Sequence, residues 1–244
     1  MESYLYDDLY ELEEQHWWHR AKRELVFRLL ASYSFRKHIK ILDVGCGTGK
    51  NVETFAAFGE SWGLDMSPRA ITYCKKRGLT RVRIGEAEKT GLPSGMFDAI
   101  TLLDVLEHTD DKKTLREMRR IMAPGGVLIM TIPAYQWLWS QWDVVLHHKR
   151  RYERTGLTAL LKKEGFKVRK VSYVYSFLVI PVFLIRMIKS RLLSGQYASD
   201  FRMSSPVVNY CMLRVSRAEA WIVDHFFVPF GTSLVCVAQK STDR

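Results

Sequence analysis

Three glycines spaced two residues apart stand where an apolar stretch ends, within the sequence DVGCGTG at residues 43–49. Glycine permits positive φ angles and lets a ligand approach bare backbone, and a helix that begins after such a turn presents unpaired N–H groups. The spacing is GxGxG rather than the GxGxxG that cradles a dinucleotide pyrophosphate, because Lys50 stands where the longer pattern has its last glycine. The turn therefore predicts a nucleotide-type site other than a nicotinamide dinucleotide site.

A carboxylate follows the next predicted strand along the chain. Asp65 closes the stretch from Glu60 to Leu64 and precedes Ser67 and Pro68, which are typical of a helix start. Such a carboxylate can accept hydrogen bonds from ribose hydroxyls, or it can serve only as a cap. With the glycine turn, Asp65 favours a nucleoside that lacks phosphates and carries an amino-acid tail.

Histidines and a basic run follow two later strands. His108 comes directly after the fourth predicted strand, and His147 and His148 precede the run Lys149-Arg150-Arg151. Histidine is the side chain best suited to take a proton near neutral pH, and lysine and arginine bind phosphate or carboxylate. His108 can equally orient a loop, and the basic run can be a solvated helix entrance.

These side chains are carried by strands that alternate with helices. The predicted strands lie at residues 40–44, 60–64, 81–84, 97–103, 127–132, 167–173 and 233–238. The predicted helices include residues 11–33, 51–58, 112–122 and 155–165. Alternation of this kind predicts an α/β, doubly wound, Rossmann-like sheet of seven strands, which are parallel and joined by crossovers. In such a sheet the carboxyl ends of the strands face the ligand crevice, so we expect the turn, Asp65 and the histidines to meet there.

Several stretches in this order and spacing resemble the class I S-adenosylmethionine-dependent methyltransferases: ILDVGCGTG, GLDMSP, GEAEKTGLP, FDAITLLDVLEH and APGGVLIMTIP, over about residues 39 to 133. The stretch FDAITLLDVLEHTDD is similar to that of ubiquinone-biosynthesis O-methyltransferases and their small-molecule relatives. More weakly, HHKRRYERTGL and PFGTSLVCVAQK resemble bacterial methyltransferases linked to cell-surface glycan or lipid-linked sugar pathways.

The resemblance implies S-adenosylmethionine as cofactor and S-adenosylhomocysteine as product. It implies a cofactor-binding set that comprises Asp43, Gly45, Cys46, Gly47, Gly49, Asp65, Met66, Glu86, Ala87 and Leu103. The glycines would line the methionine tail, Asp65 would hold the ribose and Met66 would pack on the adenine. Glu86 or Glu88 would accept from the adenine amino group, and Leu103 would border the methionine end beside Asp104, for which a structural role is the stronger expectation. The catalytic candidates are His108, His147 and His148, and no metal is expected.

We expect one methyltransferase domain over residues 1–244. It would comprise an N-terminal helical cap (1–36), a cofactor-binding core (37–173), a helical, apolar and basic insertion between the last two strands (174–230), and a final strand with a tail (231–244). Within the insertion, residues 176–193 and 206–227 are predicted helices. The first of them could lie in a membrane interface, or it could be buried against the sheet edge or another subunit.

Composition and charge limit the partners. The chain has 244 residues, of which 47% are hydrophobic and 26% charged, which excludes disordered, collagenous and disulfide-scaffold classes. The net charge of +11 is concentrated between His147 and Arg217, where 15 Lys or Arg stand against 3 acids. Four scattered cysteines and an acidic N-terminus without a signal-peptide pattern favour the cytoplasm, and no apolar run reaches the roughly 20 residues that span a bilayer.

The sequence thus predicts methyl transfer to an oxygen or nitrogen of a small-molecule or lipid- or glycan-linked acceptor. This acceptor could carry an anionic group. Contact with the inner face of a membrane and a homodimer are further expectations. The alternatives are a tRNA or rRNA methyltransferase, which the charge favours but no recognisable RNA-binding module supports, and a peripheral membrane-binding protein with a vestigial cofactor fold.

Overall fold

Seven strands form one sheet in the computed structural model of the protein, which describes residues 5–33, 38–184 and 204–241. The strands are β1 (Ile39–Val44), β2 (Gly59–Asp65), β3 (Val82–Ile84), β4 (Phe97–Leu103), β5 (Met122–Pro133), β6 (Phe166–Val174) and β7 (Ser233–Lys240). Their spatial order is β3-β2-β1-β4-β5-β7-β6. The order changes direction between β1 and β4, and ligands bind outside the carboxyl ends of the strands at such a point.

The last strand runs against its neighbours. The pairs formed by β1 to β5 are parallel, whereas β7 is antiparallel to both β5 and β6. The seven-stranded Rossmann-like sheet is therefore confirmed, but the expectation of parallel strands throughout is wrong at β7. The reason lies where the insertion returns: Tyr173 N, near the end of β6, donates to Val228 O at 3.2 Å. The chain therefore returns at the same end of the strands at which it left β6. The next strand, β7, must then run in the direction opposite to β6.

Helices flank this sheet in both halves of the chain. They are α1 (Leu5–Leu12), α2 (Trp17–Tyr33), α3 (Lys50–Phe55), α4 (Pro68–Lys76), α5 (Asp111–Ile121), α6 (Gln141–Val145), α7 (Arg154–Lys163) and a C-terminal helix (Pro206–His225). The central strands are almost continuously buried, and every residue from Leu234 to Ala238 in β7 is inaccessible to solvent. Strands covered on both faces read as unbroken apolar runs, which is why their sequence pattern was informative.

The N-terminal segment differs from the prediction of one helix over residues 11–33. The chain forms two helices, α1 and α2, and the break between them contains Glu13, whose side chain turns inward and is buried. The first N–H of α2, on Trp17, donates to Asn209 Oδ1 of the C-terminal helix at 2.7 Å. A partner so distant in sequence satisfies the new helix start, so local periodicity did not reveal the break.

The insertion between β6 and β7 is helical where the structure describes it. Residues 176–178 form a 3₁₀ turn and residues 179–184 are helical, while the rest of the predicted helix 176–193 lies outside the described residues. The C-terminal helix ends at His225, and it is joined to α2 by ion pairs of Arg28 with Asp224 and of Arg217 with Glu24. Among the described residues, no helix is both long enough and apolar enough to cross a membrane.

Candidate active site

The glycine turn follows β1 directly and adopts a backbone that requires glycine. Gly45, Gly47 and Gly49 have φ angles of 71°, 53° and 88°, in the left-handed region. A Cβ on Gly45 would meet Val105 Cγ2 at less than 3.0 Å, and one on Gly49 would meet Cys74 Sγ at 2.8 Å. The turn is therefore shaped both by its backbone angles and by close neighbours, and it begins α3 with exposed backbone.

Asp65 lies at the end of β2, beside this turn. Its Oδ2 accepts from Gly47 N at 2.9 Å and its Oδ1 accepts from Ser67 N at 2.9 Å. Burial raises the pKa of this carboxyl, and the two backbone N–H groups oppose that rise. Asp65 thus joins the turn to the start of α4, where Ser67 caps the helix and Pro68 begins it, as predicted.

Helix α1 lies across the turn and contributes groups that the sequence did not indicate. Leu9 Cδ2 would lie 3.3 Å from a Cβ on Gly47, and Glu13 accepts from Thr48 Oγ1 and, at 2.7 Å, from Arg77 Nη2. Tyr6 is buried next to Asp65, and this burial together with the charge of Asp65 raises its pKa to about 12. The N-terminal segment therefore forms one wall of the site.

Asp43 supports the turn from below. It is completely buried in β1, and its Oδ1 accepts from Thr101 Oγ1 of β4 at 2.5 Å. Burial raises the pKa of this carboxyl to about 7, against the opposing hydrogen bond from Thr101. Asp43 therefore joins β1 to β4 at the point where the sheet order changes.

The side chains predicted for the adenine lie on the far side of Asp65. Met66 is 73% exposed, Glu86 is exposed and Ala87 is buried. Glu88 Oε1 accepts from Asp110 N at 3.0 Å and so is bound to the start of α5. Glu86 and Glu88 both line the cavity, so the choice between these two glutamates stays a prediction.

The end of β4 carries a partly buried ion pair. Asp104 has a φ of 56°, pairs with Lys22 of α2 and accepts from Thr131 Oγ1 at 3.1 Å. Although burial opposes it, the charge of Lys22 lowers the pKa of Asp104. This pair fits the structural role expected of Asp104, and it places α2 beside Leu103 at the methionine end.

His108 and His148 are brought together at this end of the sheet. Their rings lie 4.7 Å apart at 76°, and burial together with the nearby His148 lowers the pKa of His108 to about 4. His147 lines the same cavity but is exposed, and it has a φ of 58°. Glu107, which the sequence analysis did not single out, is completely buried, and neither of its carboxylate oxygens has a hydrogen-bonding partner among the described residues. Burial and the charge of Asp104 raise its pKa well above the ordinary value.

Glu107, His108 and His148 could together hold a metal ion, since one donor atom of each lies within 4.8 Å of the others. Zinc with bonds of about 2.0–2.1 Å holds its tetrahedral ligands about 3.4 Å apart. The three side chains would have to move closer together to hold zinc at these bond lengths, so the observed arrangement is not a formed zinc site.

Two members of the basic run already have acidic partners. Arg150 Nη1 pairs with Asp111 Oδ2 at 2.7 Å, and Arg151 Nε pairs with Asp143 Oδ1 at 2.7 Å, with the Arg151 side chain only 7% exposed. Arg151 lines the cavity, but its guanidinium is paired with a buried carboxylate, so binding of an anionic acceptor by this residue stays a prediction. Lys149 is exposed at the cavity wall and remains a candidate.

One cavity of about 1110 Å³ joins both groups of side chains. Of the predicted residues it is lined by Gly45, Cys46, Gly47, Asp65, Met66, Glu86, Ala87, Leu103, His108, His147 and His148. Asp43 and Gly49 lie outside this lining and act on the shape of the turn. The volume is slightly above the ~300–1,000 Å³ usual for ligand sites, which leaves room for a nucleoside and a second molecule.

Comparison with known proteins assigns the family. The sequence model of a family described as a methyltransferase domain matches residues 42–130, which run from β1 into β5. The chain carries a class I S-adenosylmethionine-dependent methyltransferase domain. S-adenosylmethionine is the cofactor of that family.

Individual relatives resemble this methyltransferase domain over part of their length. A protein of Mycolicibacterium smegmatis, named as a probable S-adenosylmethionine-dependent methyltransferase, is 27% identical over 67% of this chain and 65% of its own length. The ubiquinone biosynthesis O-methyltransferase of Xanthomonas oryzae pv. oryzae is 34% identical over 38% of this chain and 42% of its own length. The chain thus spans less than two thirds of both relatives.

A solved structure supports the fold. The phosphoethanolamine N-methyltransferase 2 of Haemonchus contortus, in complex with S-adenosyl-L-methionine, has a TM-score of 0.57 at 15% identity and covers 89% of this chain and 52% of that chain. At this identity the likeness concerns the fold of the methyltransferase domain.

The residues of the methyltransferase domain fit the cofactor on two observations. A carboxylate has about four acceptor positions, so Asp65 can bind ribose hydroxyls while it holds Gly47 N and Ser67 N. Gly45 and Gly47 line the cavity without a side chain, which leaves bare backbone for an amino-acid tail. The predicted nucleoside with an amino-acid tail and no phosphates matches this site.

Proposed function

We propose that the protein transfers a methyl group from S-adenosylmethionine to an oxygen or nitrogen of a small-molecule acceptor. The observation that carries the proposal is the single cavity, in which the glycine turn and Asp65 lie at one end and His108 and His148 at the other. When bound, the cofactor supplies a methyl group attached to a sulfonium sulfur. The rest of the cofactor is a good leaving group because it departs as a neutral thioether. The protein then has to align the acceptor, exclude water and take up one proton.

The chain has residues for each of these tasks. Asp65 and the backbone of the glycine turn would orient the cofactor, and Leu103 would border the reacting end. Helix α1 and the aromatic side chains of Trp17 and Trp18, which also line the cavity, would exclude water. His108 and His148 would be the candidates to receive a proton from the acceptor.

The acceptor we propose is small and is reached from an apolar surface, which favours a lipid-linked molecule. Leu178 and Val182 line the cavity, and their helical neighbours Ile180 and Phe183 are 70% and 44% exposed. We call the exposed pair Ile180 and Phe183 the apolar tip. Such a tip, followed in the sequence by Arg186, Lys189 and Arg191, is suited to an anionic membrane surface. Lys149 at the cavity wall would meet a phosphate or carboxylate of the acceptor. The O-methyltransferase among the relatives supports a small acceptor, and a homodimer stays a prediction.

Transfer of label tests this function. The purified protein would be incubated with S-adenosylmethionine carrying a tritiated methyl group and with a bacterial extract separated into lipid, glycan and RNA fractions. We expect label in the lipid fraction and a loss of that label with Asp65→Asn. Label confined to RNA would replace the acceptor class by nucleic acid. Absence of label from every fraction, in a protein that also fails to bind the cofactor, would contradict the function.

Flotation with liposomes tests the surface separately. We expect the protein to float with vesicles that contain phosphatidylglycerol at low salt and to lose that association with Ile180→Asp. Val207→Asp is a matched control, because Val207 is 72% exposed on the C-terminal helix and does not line the cavity. Equal flotation of both variants and wild type would reject the apolar tip as a membrane contact.

A further inference from the structure

Asp143, on α6, is a buried carboxylate that neither the sequence pattern nor the cofactor requires. It is completely inaccessible to solvent, and its Oδ1 lies 2.7 Å from Arg151 Nε and 2.9 Å from His148 Nδ1. Its Oδ2 accepts from Arg151 Nη2 at 3.0 Å and from Ser140 N at 2.7 Å. Burial by itself would raise the pKa of Asp143, but the hydrogen bonds from His148 and Arg151 hold it well below its usual range. Asp143 is therefore ionised although it is buried.

The ionised state of Asp143 determines how His148 carries its proton. A carboxylate without a proton can only accept, so the nitrogen that faces it, Nδ1, must donate. In neutral imidazole the other nitrogen, Nε2, then has a free electron pair and can take a proton. That nitrogen lies on the side of Glu107, 3.9 Å from its Oε1. This separation is too long for a hydrogen bond, so Glu107 does not occupy Nε2, and the His148 side chain lines the cavity.

The other two histidines are less suited to the same task. His108 lies in the cavity, but a group with a pKa near 4 is a weak proton acceptor at neutral pH. His147 is exposed, with its backbone in the left-handed region. Among the histidines whose contacts the structure describes, His148 combines a buried carboxylate partner on Nδ1 with a side chain that lines the cavity.

We propose that His148 Nε2 takes the proton of the acceptor and that Asp143, held by Arg151, is the positioning residue that fixes its tautomer and ring orientation. This inference rests on the proposed methyl transfer. The proton leaves the acceptor oxygen or nitrogen and binds Nε2, and the freed electron pair of the acceptor forms the bond to the methyl carbon. The pair of the broken carbon–sulfur bond stays on sulfur. The resulting imidazolium faces the negative charge of Asp143, and it returns its proton to solvent after the transfer.

Nitrogen NMR of the full-length protein tests the tautomer without any acceptor. Two-bond ¹H–¹⁵N spectra of protein labelled in its histidine rings, with S-adenosylhomocysteine bound, distinguish a protonated from an unprotonated ring nitrogen. We expect neutral His148 to be protonated at Nδ1, and we expect Asp143→Asn to move the proton to Nε2, because an amide can donate to Nδ1. A wild-type His148 protonated at Nε2 would overturn the inference, whether or not the variant folds.

Methyl transfer into a bacterial total lipid extract gives the second readout. A general base contributes about 10²–10⁴-fold, so we expect Asp143→Asn and His148→Gln each to lose at least about 10²-fold in rate at saturating cofactor. The affinity for S-adenosylhomocysteine, measured by calorimetry, should change less than threefold in both variants. Gln141→Ala is the matched control, since Gln141 is exposed on the same helix and does not line the cavity.

Two outcomes would contradict the role of the pair. Rates of Asp143→Asn within threefold of wild type would reject Asp143 as a positioning residue. Loss of transfer on addition of EDTA, restored by a divalent metal, would make His148 Nε2 a ligand rather than a base. If instead the wild-type protein failed to bind S-adenosylhomocysteine, the proposed function would fail, and the tautomer of His148 would still be readable.

Discussion

Glu13 joins the N-terminal helix α1 to the glycine turn, and the variant Glu13→Gln tests how strongly this contact holds the helix. Its carboxylate accepts from Thr48 Oγ1 within the turn and from Arg77 Nη2 at 2.7 Å. Both partners of this ion pair are buried, with side chains 7% and 9% exposed for Arg77 and Glu13. Glutamine has the same shape but no charge, so Glu13→Gln weakens the contact without opening a cavity.

The free energy lost in Glu13→Gln depends on the hydrogen-bond partners that Arg77 retains. Removing one partner from a buried ion pair costs about 3–5 kcal/mol. Arg77 retains Glu14 at 2.7 Å and the carbonyl of Thr48 at 3.0 Å, and glutamine retains one acceptor. We therefore expect a smaller loss of about 1–3 kcal/mol, which corresponds to a factor of about 5–150 in an equilibrium. Because Tyr6 and Leu9 of α1 and the adjacent Glu13 line the cavity, this loss should appear in cofactor binding.

Calorimetry with S-adenosylhomocysteine and hydrogen exchange of residues 5–12 measure the effect. We expect Glu13→Gln to raise the dissociation constant by about 5–150-fold and to speed exchange in α1. Glu14→Gln is the control, because Glu14 contacts the same guanidinium but is 48% exposed, and exposed pairs contribute about 0–1 kcal/mol. If Glu13→Gln binds as tightly as Glu14→Gln and α1 exchanges as in wild type, the reasoning that α1 closes the site is refuted.

Three further predictions concern stability. Gly45→Ala should lower the melting temperature more than Gly91→Ala: both positions have positive φ, but only a Cβ on Gly45 meets Val105, which adds about 1–3 kcal/mol of overpacking. The pKa of Asp43 is about 7 in the folded state and ordinarily 3.8, so between these values the folded state binds a proton that the unfolded state has lost. The contribution of Asp43 to stability therefore falls as the pH rises through this interval. The melting temperature of wild type minus that of Asp43→Asn should therefore decrease between pH 5 and 7, and a constant difference would reject the buried proton. His108 has the opposite sign: its folded pKa near 4 lies below the ordinary 6.5, so the advantage of wild type over His108→Gln should shrink as pH falls from 7 to 4.5 in thermal melts.

Local patterns predicted those parts of the fold whose signals lie within a few residues. The strand Phe97–Leu103 has the predicted bounds, since an apolar run bounded by polar residues marks a buried strand. The glycine turn, Asp65 and the cap formed by Ser67 and Pro68 likewise depend on residues adjacent in the chain. The family resemblance added which ligand such a turn would hold.

Contacts between distant residues account for what the sequence did not predict. Glu13 ends α1 because Arg77 and Thr48 bind it, and these partners are dozens of residues away. The direction of β7 depends on where the insertion returns to the sheet, which no strand pattern encodes. Asp143 stands in a segment without regular periodicity, and it pairs with Arg151 of the predicted basic run. An acidic residue five positions before a histidine was the available signal.

Binding of S-adenosylhomocysteine to wild type and to Asp65→Asn, measured by calorimetry, tests the central claim most directly. Hydrogen bonds to a charged group contribute about 1.5–3 kcal/mol, so we expect one molecule per chain and a dissociation constant about 10–150-fold higher for the variant. Glu60→Gln, an exposed change on the same strand, should bind as wild type does. A wild-type protein that gives no binding heat, or an Asp65→Asn variant of unchanged affinity, would contradict the assignment of this cavity to the cofactor.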